Sequence, residues 1–275
     1  MIKIMVDSAS DCRDKALYDL FIPMTVNLNE KEYRDGIDLD NDTFYSLLTS
    51  SRDFPRTSQP SPEDFRLPFE QVKETGDELI YFCLSSALSG TYQSATIARE
   101  MVDYNGIHII DTRTASHMIG LLTQYARQRM EAGDTATEIA EKCEALKSRI
   151  RVYAGVDTLE YLRRGGRIGK ASAMLGTMAN VKPLITVSRD GEVEAVGKAL
   201  GIPRALQTIV DKVKSDDIDL AYPICSLYTY GEENTLRLEK KLTAAGYSIA
   251  DRLQVGSTIG THVGPGVYGV FYVTK

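Results

Sequence analysis

Three turns in the first half of the chain carry residue types suited to holding an anion. Asp7-Ser8 with Asp11, Ser85-Ser86 with Ser89-Gly90-Thr91, and Asp111-Thr112 each follow an apolar run and precede an amphipathic one. In an open parallel sheet the ligand crevice lies beyond the carboxyl ends of the strands, so these turns are expected to share one rim. Helix N-termini at such a rim present unpaired N–H groups and a partial positive charge, and the Ser89 and Thr91 hydroxyls add donors. The same side chains would also serve as ordinary caps of their own helices, and at this level both readings stand. Thr57 and Ser58 are different, because they precede the helix cap Ser61 by four and three residues and have no capping role. They are candidates for ligand contact, against the alternative of plain hydration.

Two further segments concentrate chemistry. Arg163-Arg164-Gly165-Gly166-Arg167-Ile168-Gly169-Lys170 places four cations around glycines in a chain whose net charge is −6. Arginines complement a helix C-terminus and glycine supplies its left-handed cap, but four cations exceed that need, leaving a phosphate-handling or partner-docking patch as the alternative. Gly260-Thr261-His262-Val263-Gly264-Pro265-Gly266 is expected to be a glycine-dense turn between two late strands, where backbone can approach a ligand closely. His108 falls in a strand and His117 in a helix, both expected to be structural.

Other chemistries find little support. The chain has no G-x-S-x-G elbow, no Walker lysine loop and no glycine fingerprint leading from a strand into a helix, which disfavours a kinase or a dehydrogenase. Ser89, His262 and Asp111 could be composed into a hydrolase triad, yet nothing orients a base toward the hydroxyl. Cys12, Cys83, Cys143 and Cys225 are far apart, and with three scattered histidines they suggest neither a disulfide framework nor a metal site. Acidic balance without a Lys/Arg block argues against sequence-independent nucleic-acid binding. No apolar run approaches the ~18 residues of a membrane span, and Asp7 interrupts any export signal, so a cytoplasmic protein without a transmembrane segment is expected.

The elements that must position these residues follow from periodicity. The chain has 275 residues, 43% hydrophobic and 25% charged, with no Trp, the composition of an ordinary globular protein of one large or two small domains. Ile2 to Asp7 reads as a buried strand and Asp14 to Leu20 as a short helix. Met24 to Leu28 alternates as a strand, and Asp42 to Thr49 is a helix. Pro62 and Asp64 behind Ser61 mark the start of another helix, which Pro68 should kink or shorten. Leu79 to Leu84 and Ile107 to Asp111 are strands, each followed by a helix, and together they imply a parallel sheet. Thr135 with Glu138 opens a helix ending near Ile150. Beyond it come a strand at Val152 to Val156, a short helix at Thr158 to Arg164, a hairpin turning at Asp190-Gly191, helices from Pro203 to Lys214 and up to Ala245, a strand near Asp219 to Tyr228 and two final strands. The expectation is an α/β protein of two α/β domains. Residues 1–150 form the first, with a mainly parallel sheet flanked by helices, and residues 151–275 the second, with a mixed sheet.

Six segments, in this order, resemble the DegV family of bacterial fatty-acid-binding proteins, the lipid-carrying subunits of fatty acid kinase. They are Asp7 to Asp11, Thr57 to Ser61, Ser85 to Tyr92, Thr158 to Leu162 running into Gly165-Gly166-Arg167-Ile168, Lys182-Pro183, and Thr261 to Gly266. The resemblance spans essentially the whole chain. It implies one long-chain fatty acid between the two domains, with its tail in an apolar tunnel closed by the second domain and its carboxylate at the hydroxyl-rich rim of the first. Thr57 and Ser89 would grip the carboxylate, with Ser58 and His262 beside them and His262 acting directly or through the hydrogen-bond network. Arg167 would face a separate ATP-dependent kinase that forms the acyl phosphate for phospholipid synthesis. The chain itself would be a carrier with no cofactor, metal or nucleotide site; the alternatives are a serine hydrolase or acyl transferase using Ser89, and a lipid sensor without a kinase partner. Two positions depart from the family pattern: Lys198-Ala199-Leu200 lacks an arginine often found two residues after the lysine, and His117-Met118 is bulkier than the usual Ser/Gly-rich stretch.

Overall fold

The computed structural model describes residues 1–12, 14–174 and 180–275. The strands are β1 (Ile2–Asp7), β2 (Leu20–Ile22), β3 (Thr25–Leu28), β4 (Lys31–Arg34), β5 (Arg56–Ser58), β6 (Glu78–Cys83), β7 (Ile107–Asp111), β8 (Ile150–Gly155), β9 (Val181–Val187), β10 (Val193–Leu200), β11 (Cys225–Tyr228), β12 (Asp251–Gln254) and β13 (Tyr268–Val273). The helices are α1 (Asn41–Ser50), α2 (Pro62–Thr75), α3 (Thr91–Val102), α4 (His117–Glu131), α5 (Ala136–Lys147), α6 (Glu160–Arg164), α7 (Ile202–Ser215), α8 (Glu233–Ala244) and α9 (Ser257–Val263).

The architecture is α/β, as expected. A four-stranded sheet in the order β2-β1-β6-β7 is parallel throughout. A six-stranded mixed sheet runs β10-β9-β8-β13-β11-β12, and a small antiparallel sheet, β4-β3-β5, lies apart from both. β6 shows why its apolar run is a strand buried on both faces: Ile80 and Phe82 enter one core cluster, while Leu79, Tyr81 and Cys83 enter another. The second of these holds Phe65, Phe69 and Val72 of α2 with Ala95 and Ala98 of α3. The first collects Ile119 and Leu122 of α4 and Ile139 of α5, and also Val152, Leu227 and Phe271 of the six-stranded sheet. Helices α7 and α8 cover the far face of that sheet through Leu206, Ile209, Leu238 and Leu242. One core therefore joins the two large sheets, with α4 and α5 contributing to it.

Both capping boxes read from the sequence form, Ser61 with Asp64 and Thr135 with Glu138. Several expectations fail. No helix spans Asp14 to Leu20; Asp7 caps a 3₁₀ turn at Ser8–Ser10, and Leu20–Ile22 instead extends the parallel sheet beside β1. Pro68 does not end α2, because Phe65, Phe69 and Val72 bury the same face before and after it and offset the lost backbone bond. Helix α5 ends at Lys147, and the strand after it starts at Ile150, two residues before the expected Val152; the strand expected from Asp219 is confined to Cys225–Tyr228. The last glycine-dense segment is not simply a turn: Ser257–Val263 is helix α9, and β12 and β13 on either side of it both pair with β11.

Candidate functional site

A cavity lies where the parallel-sheet rim meets β8, β9 and α9. Its body is apolar, walled by Leu84, Val152, Ile185, Leu227, Val255 and Ile259 among others. An apolar lining with a few convergent polar groups is the usual form of small-molecule sites. Here the convergent groups include Thr57, Ser89, Arg167 and His262.

Thr57 and His262 meet although 205 residues separate them, with Thr57 Oγ1 2.7 Å from His262 Nε2. Burial is the larger cause, and the Arg167 charge the smaller, of a His262 pKa pushed down to about 4, so the ring is neutral at pH 7. Its Nδ1 is buried without a hydrogen-bond partner. Protonating Nδ1 would bury a donor with no acceptor, so the favoured tautomer carries its proton on Nε2 and donates to Thr57. The Thr57 hydroxyl hydrogen is then left to donate into the cavity. Nδ1 packs against Gly165: a Cβ built there would lie inside contact distance of Nδ1 and 3.1 Å from His262 Cε1. Gly165 has φ −74°, so it is required for space and not for a left-handed cap; the positive φ belongs to Gly166.

Distant residues fix α9, which carries His262. Asp35, following β4, accepts bonds from the Thr258 backbone N–H and from the Ser257 and Thr258 hydroxyls, so it caps the helix across more than 220 residues. Burial nonetheless raises the pKa of Asp35. Ser8 bonds both Thr258 Oγ1, at 3.2 Å, and the Met24 N–H, at 3.0 Å. At the other end of α9, Gly264 has φ +76° and leaves room for the Tyr161 ring, which a Cβ would meet within 3 Å.

The remaining candidates divide. Ser89 lines the cavity just before α3, with Oγ 2.8 Å from Thr91 Oγ1. Ser58 is exposed and lies outside the cavity lining, because alternation along β5 sends Thr57 and Ser58 to opposite faces. Arg167 donates to the carbonyls of Leu88 and Gly165 and so bridges the β6–α3 turn to α6. Its neighbours in the cation-rich segment are mostly paired: Arg163 and Arg164 share Glu160, and Lys170 faces Glu192 at 3.4 Å. Asp7 is wholly buried and accepts from Tyr81 Oη and the N–H groups of Leu84 and Ala9, with burial raising its pKa to about 6. Asp111 accepts from Ser86 and from the Arg113 N–H. Both acids brace the rim. Ser89, His262 and Asp111 do not assemble a triad, since Nε2 of the histidine faces Thr57 and Asp111 faces Ser86. Gly264-Pro265-Gly266-Val267-Tyr268-Gly269 has a G-x-G-x-x-G spacing, but it leads from a helix into β13, the reverse of a dinucleotide fingerprint. Met118 lines the cavity, and His117 Nε2 lies 2.9 Å from the Gln254 carbonyl.

Sequence reasoning missed Asp35 and helix α9, and it read Gly165 as a helix cap and not as space for His262. No local signal marks Asp35 or the packing against Gly165, whereas Ser257 before an i, i+4 repeat of small residues offered only a weak helix pattern. Among the described residues there is no cluster able to hold a metal ion, and no helix is long and apolar enough to cross a membrane.

Comparison with known proteins places this geometry in context. The model of a family described as uncharacterised proteins of the DegV family matches residues 1–275. A DegV domain-containing protein of Caldanaerobacter subterraneus is 37% identical over 279 residues, covering 100% of this chain and 99% of the relative. A solved DegV family protein from Thermus thermophilus, described for its fatty acid binding, superposes with a TM-score of 0.89 at 32% identity, covering 100% of this chain and 99% of the other. A stearic-acid-binding protein from Eubacterium ventriosum gives a TM-score of 0.87 at 27% identity, with the same coverage.

Proposed function

From the premise that this chain belongs to the DegV family, we propose that it binds one long-chain fatty acid noncovalently and presents the carboxylate to a separate ATP-dependent kinase. The observation that carries the reading is the cavity itself, apolar along its body and polar where Thr57, Ser89 and His262 line it. Residues 1–150 supply the hydroxyl-bearing rim and residues 151–275 close over the tail as a second lobe. The carrier works in the cytoplasm and supplies no nucleotide site of its own.

The energetics divide along the ligand. At about 0.8 kcal/mol per buried CH₂, some fourteen methylenes offer roughly 11 kcal/mol gross, before ordering and association costs. Each hydroxyl-to-carboxylate bond adds about 1.5–3 kcal/mol at most. The tail thus sets affinity, and the hydroxyls set register. Thr57, with its oxygen occupied by the His262 N–H, donates to one carboxylate oxygen, and Ser89 donates to the carboxylate from the α3 side. A neutral His262 adds no charge that would hold the carboxylate too tightly to react. Arg167, anchored by two carbonyls, faces the kinase at the mouth.

Native mass spectrometry followed by denaturation tests this. One fatty-acid mass that is lost on denaturation is the expected result, with acyl-phosphate formation only when kinase and ATP are added. A protein that neither copurifies with nor takes up fatty acid would overturn the proposal; a covalent adduct surviving denaturation would point to Ser89 as a nucleophile.

A further inference from the structure

A second cavity lies beside the first, lined by the start of β8 and the end of β9. It shares Val152, Thr186 and Val187 with the first cavity, so the two are adjacent. Its chemistry is the opposite. Arg113, Lys147, Arg151 and Arg189 all line it, and none of its lining residues is acidic. Four converging cations are anomalous in a chain of net charge −6.

Two of the four cations meet an acid, and among the described residues the other two do not. Arg113 lies 3.6 Å from Asp111, and Lys147 pairs with Glu144 on the exposed face of α5. Arg151 donates only to the carbonyls of Ser148 and Ile150, and neither it nor Arg189 has an ion pair among the described residues. Three elements hold the cations in place. Lys147 donates to the Asp111 carbonyl at 2.6 Å, which ties α5 to the end of β7. The β9–β10 turn that carries Arg189 is clasped by Ser85, whose hydroxyl donates to the Gly191 carbonyl at 2.9 Å. Gly191, with φ +83°, packs so closely that a Cβ would lie 3.1 Å from Arg113 Cα. Converging guanidinium groups suit phosphate oxygens, which they bind through paired, charge-assisted bonds.

We infer that this pocket is a binding site for a phosphate-bearing anion, distinct from the fatty-acid cavity and sharing a wall with it. The site takes either a soluble phosphorylated compound or the phosphate of a lipid headgroup. It does not depend on what fills the first cavity.

Inorganic pyrophosphate is the probe for the soluble source, measured by calorimetric titration of the full chain at constant ionic strength. Phosphatidylglycerol vesicles, with phosphatidylcholine vesicles as control, probe the headgroup source by co-sedimentation. Arg189 is exposed, so Arg189→Glu should fold normally; Arg151→Gln is the second variant, and the circular-dichroism spectrum and urea midpoint report that each variant is folded. Saturable pyrophosphate binding that weakens about tenfold or more in each variant, a charge-assisted bond's worth, is the expected result for a soluble ligand. Vesicle binding that depends on Arg189 and is displaced by pyrophosphate supports the headgroup source. Absence of both, or pyrophosphate binding equal in wild type and variants, overturns the inference.

Discussion

Replacing Gly165 by alanine should be harmless on backbone grounds and damaging through one side chain. Its φ of −74° is helical, so alanine there would ordinarily stabilise by about 0.4–1 kcal/mol through the unfolded state. The new Cβ, however, would fall inside contact distance of His262 Nδ1 and within 3.1 Å of both His262 Cε1 and the Tyr161 carbonyl oxygen. Relieving that overlap requires the imidazole to move by about 1 Å, a displacement that removes the 2.7 Å bond between Thr57 and His262. The lost bond and its unsatisfied partner cost about 1–3 kcal/mol, and overpacking adds about 1–3 kcal/mol. Set against the unfolded-state gain, the net expectation is a loss of about 1–5 kcal/mol in a urea titration, together with faster lipid exchange. In a His262→Ala background the main obstacle is gone and only the 3.1 Å approach to the Tyr161 carbonyl remains, so Gly165→Ala should become neutral or stabilising. That change of sign is specific to the packing argument. Equal destabilisation in the two backgrounds, or no effect in the wild type, would refute it.

Three other outcomes are expected. Thr57→Ala combined with Ser89→Ala should weaken fatty-acid retention by about tenfold or more per hydroxyl and, because Thr57 also accepts from His262 Nε2, cost about 1–3 kcal/mol of stability without unfolding the protein, whereas Ser89→Ala alone should leave the urea midpoint nearly unchanged; unaltered exchange would remove these residues from the site. Asp35→Ala leaves the Thr258 N–H and two hydroxyls without their acceptor, so it should cost about 2–4 kcal/mol of stability and loosen lipid binding through α9; a variant with normal stability would show that Asp35 is not the cap. For pH, His262 titrates near 6.5 unfolded and about 4 folded, so its contribution is lost as pH falls through that window, by about 3 kcal/mol. Asp7 titrates near 3.8 unfolded and about 6 folded, so its contribution has the opposite sign and grows by about 3 kcal/mol as pH falls from 6 to 3.8. The two offset each other in the wild type. Relative to wild type, His262→Gln should therefore gain stability between pH 7 and 4 and Asp7→Asn should lose it, and parallel pH profiles would contradict both assignments.

Local chemistry was legible in the sequence. The capping boxes at Ser61 and Thr135, the apolar run of β6 and the βα alternation follow from contacts within a few residues, and a parallel sheet then requires that Asp7, Ser85 and Asp111 share a rim. Thr57 and His262 could be singled out as residues with no local role. Their pairing could not, because a contact across 205 residues leaves no periodic trace. Helix α9 is seven residues long and too short to be stable alone; its cap comes from Asp35, far away in sequence, so local propensity pointed to a turn. The same limit applies to the short strands β2, β4 and β5, whose partners define them. Sequence thus determined which residues were suited to bind and the longer elements around them. Only the tertiary structure decided which faced a cavity, which braced the rim and which neutralised one another, because burial and pairing are properties of neighbours in space.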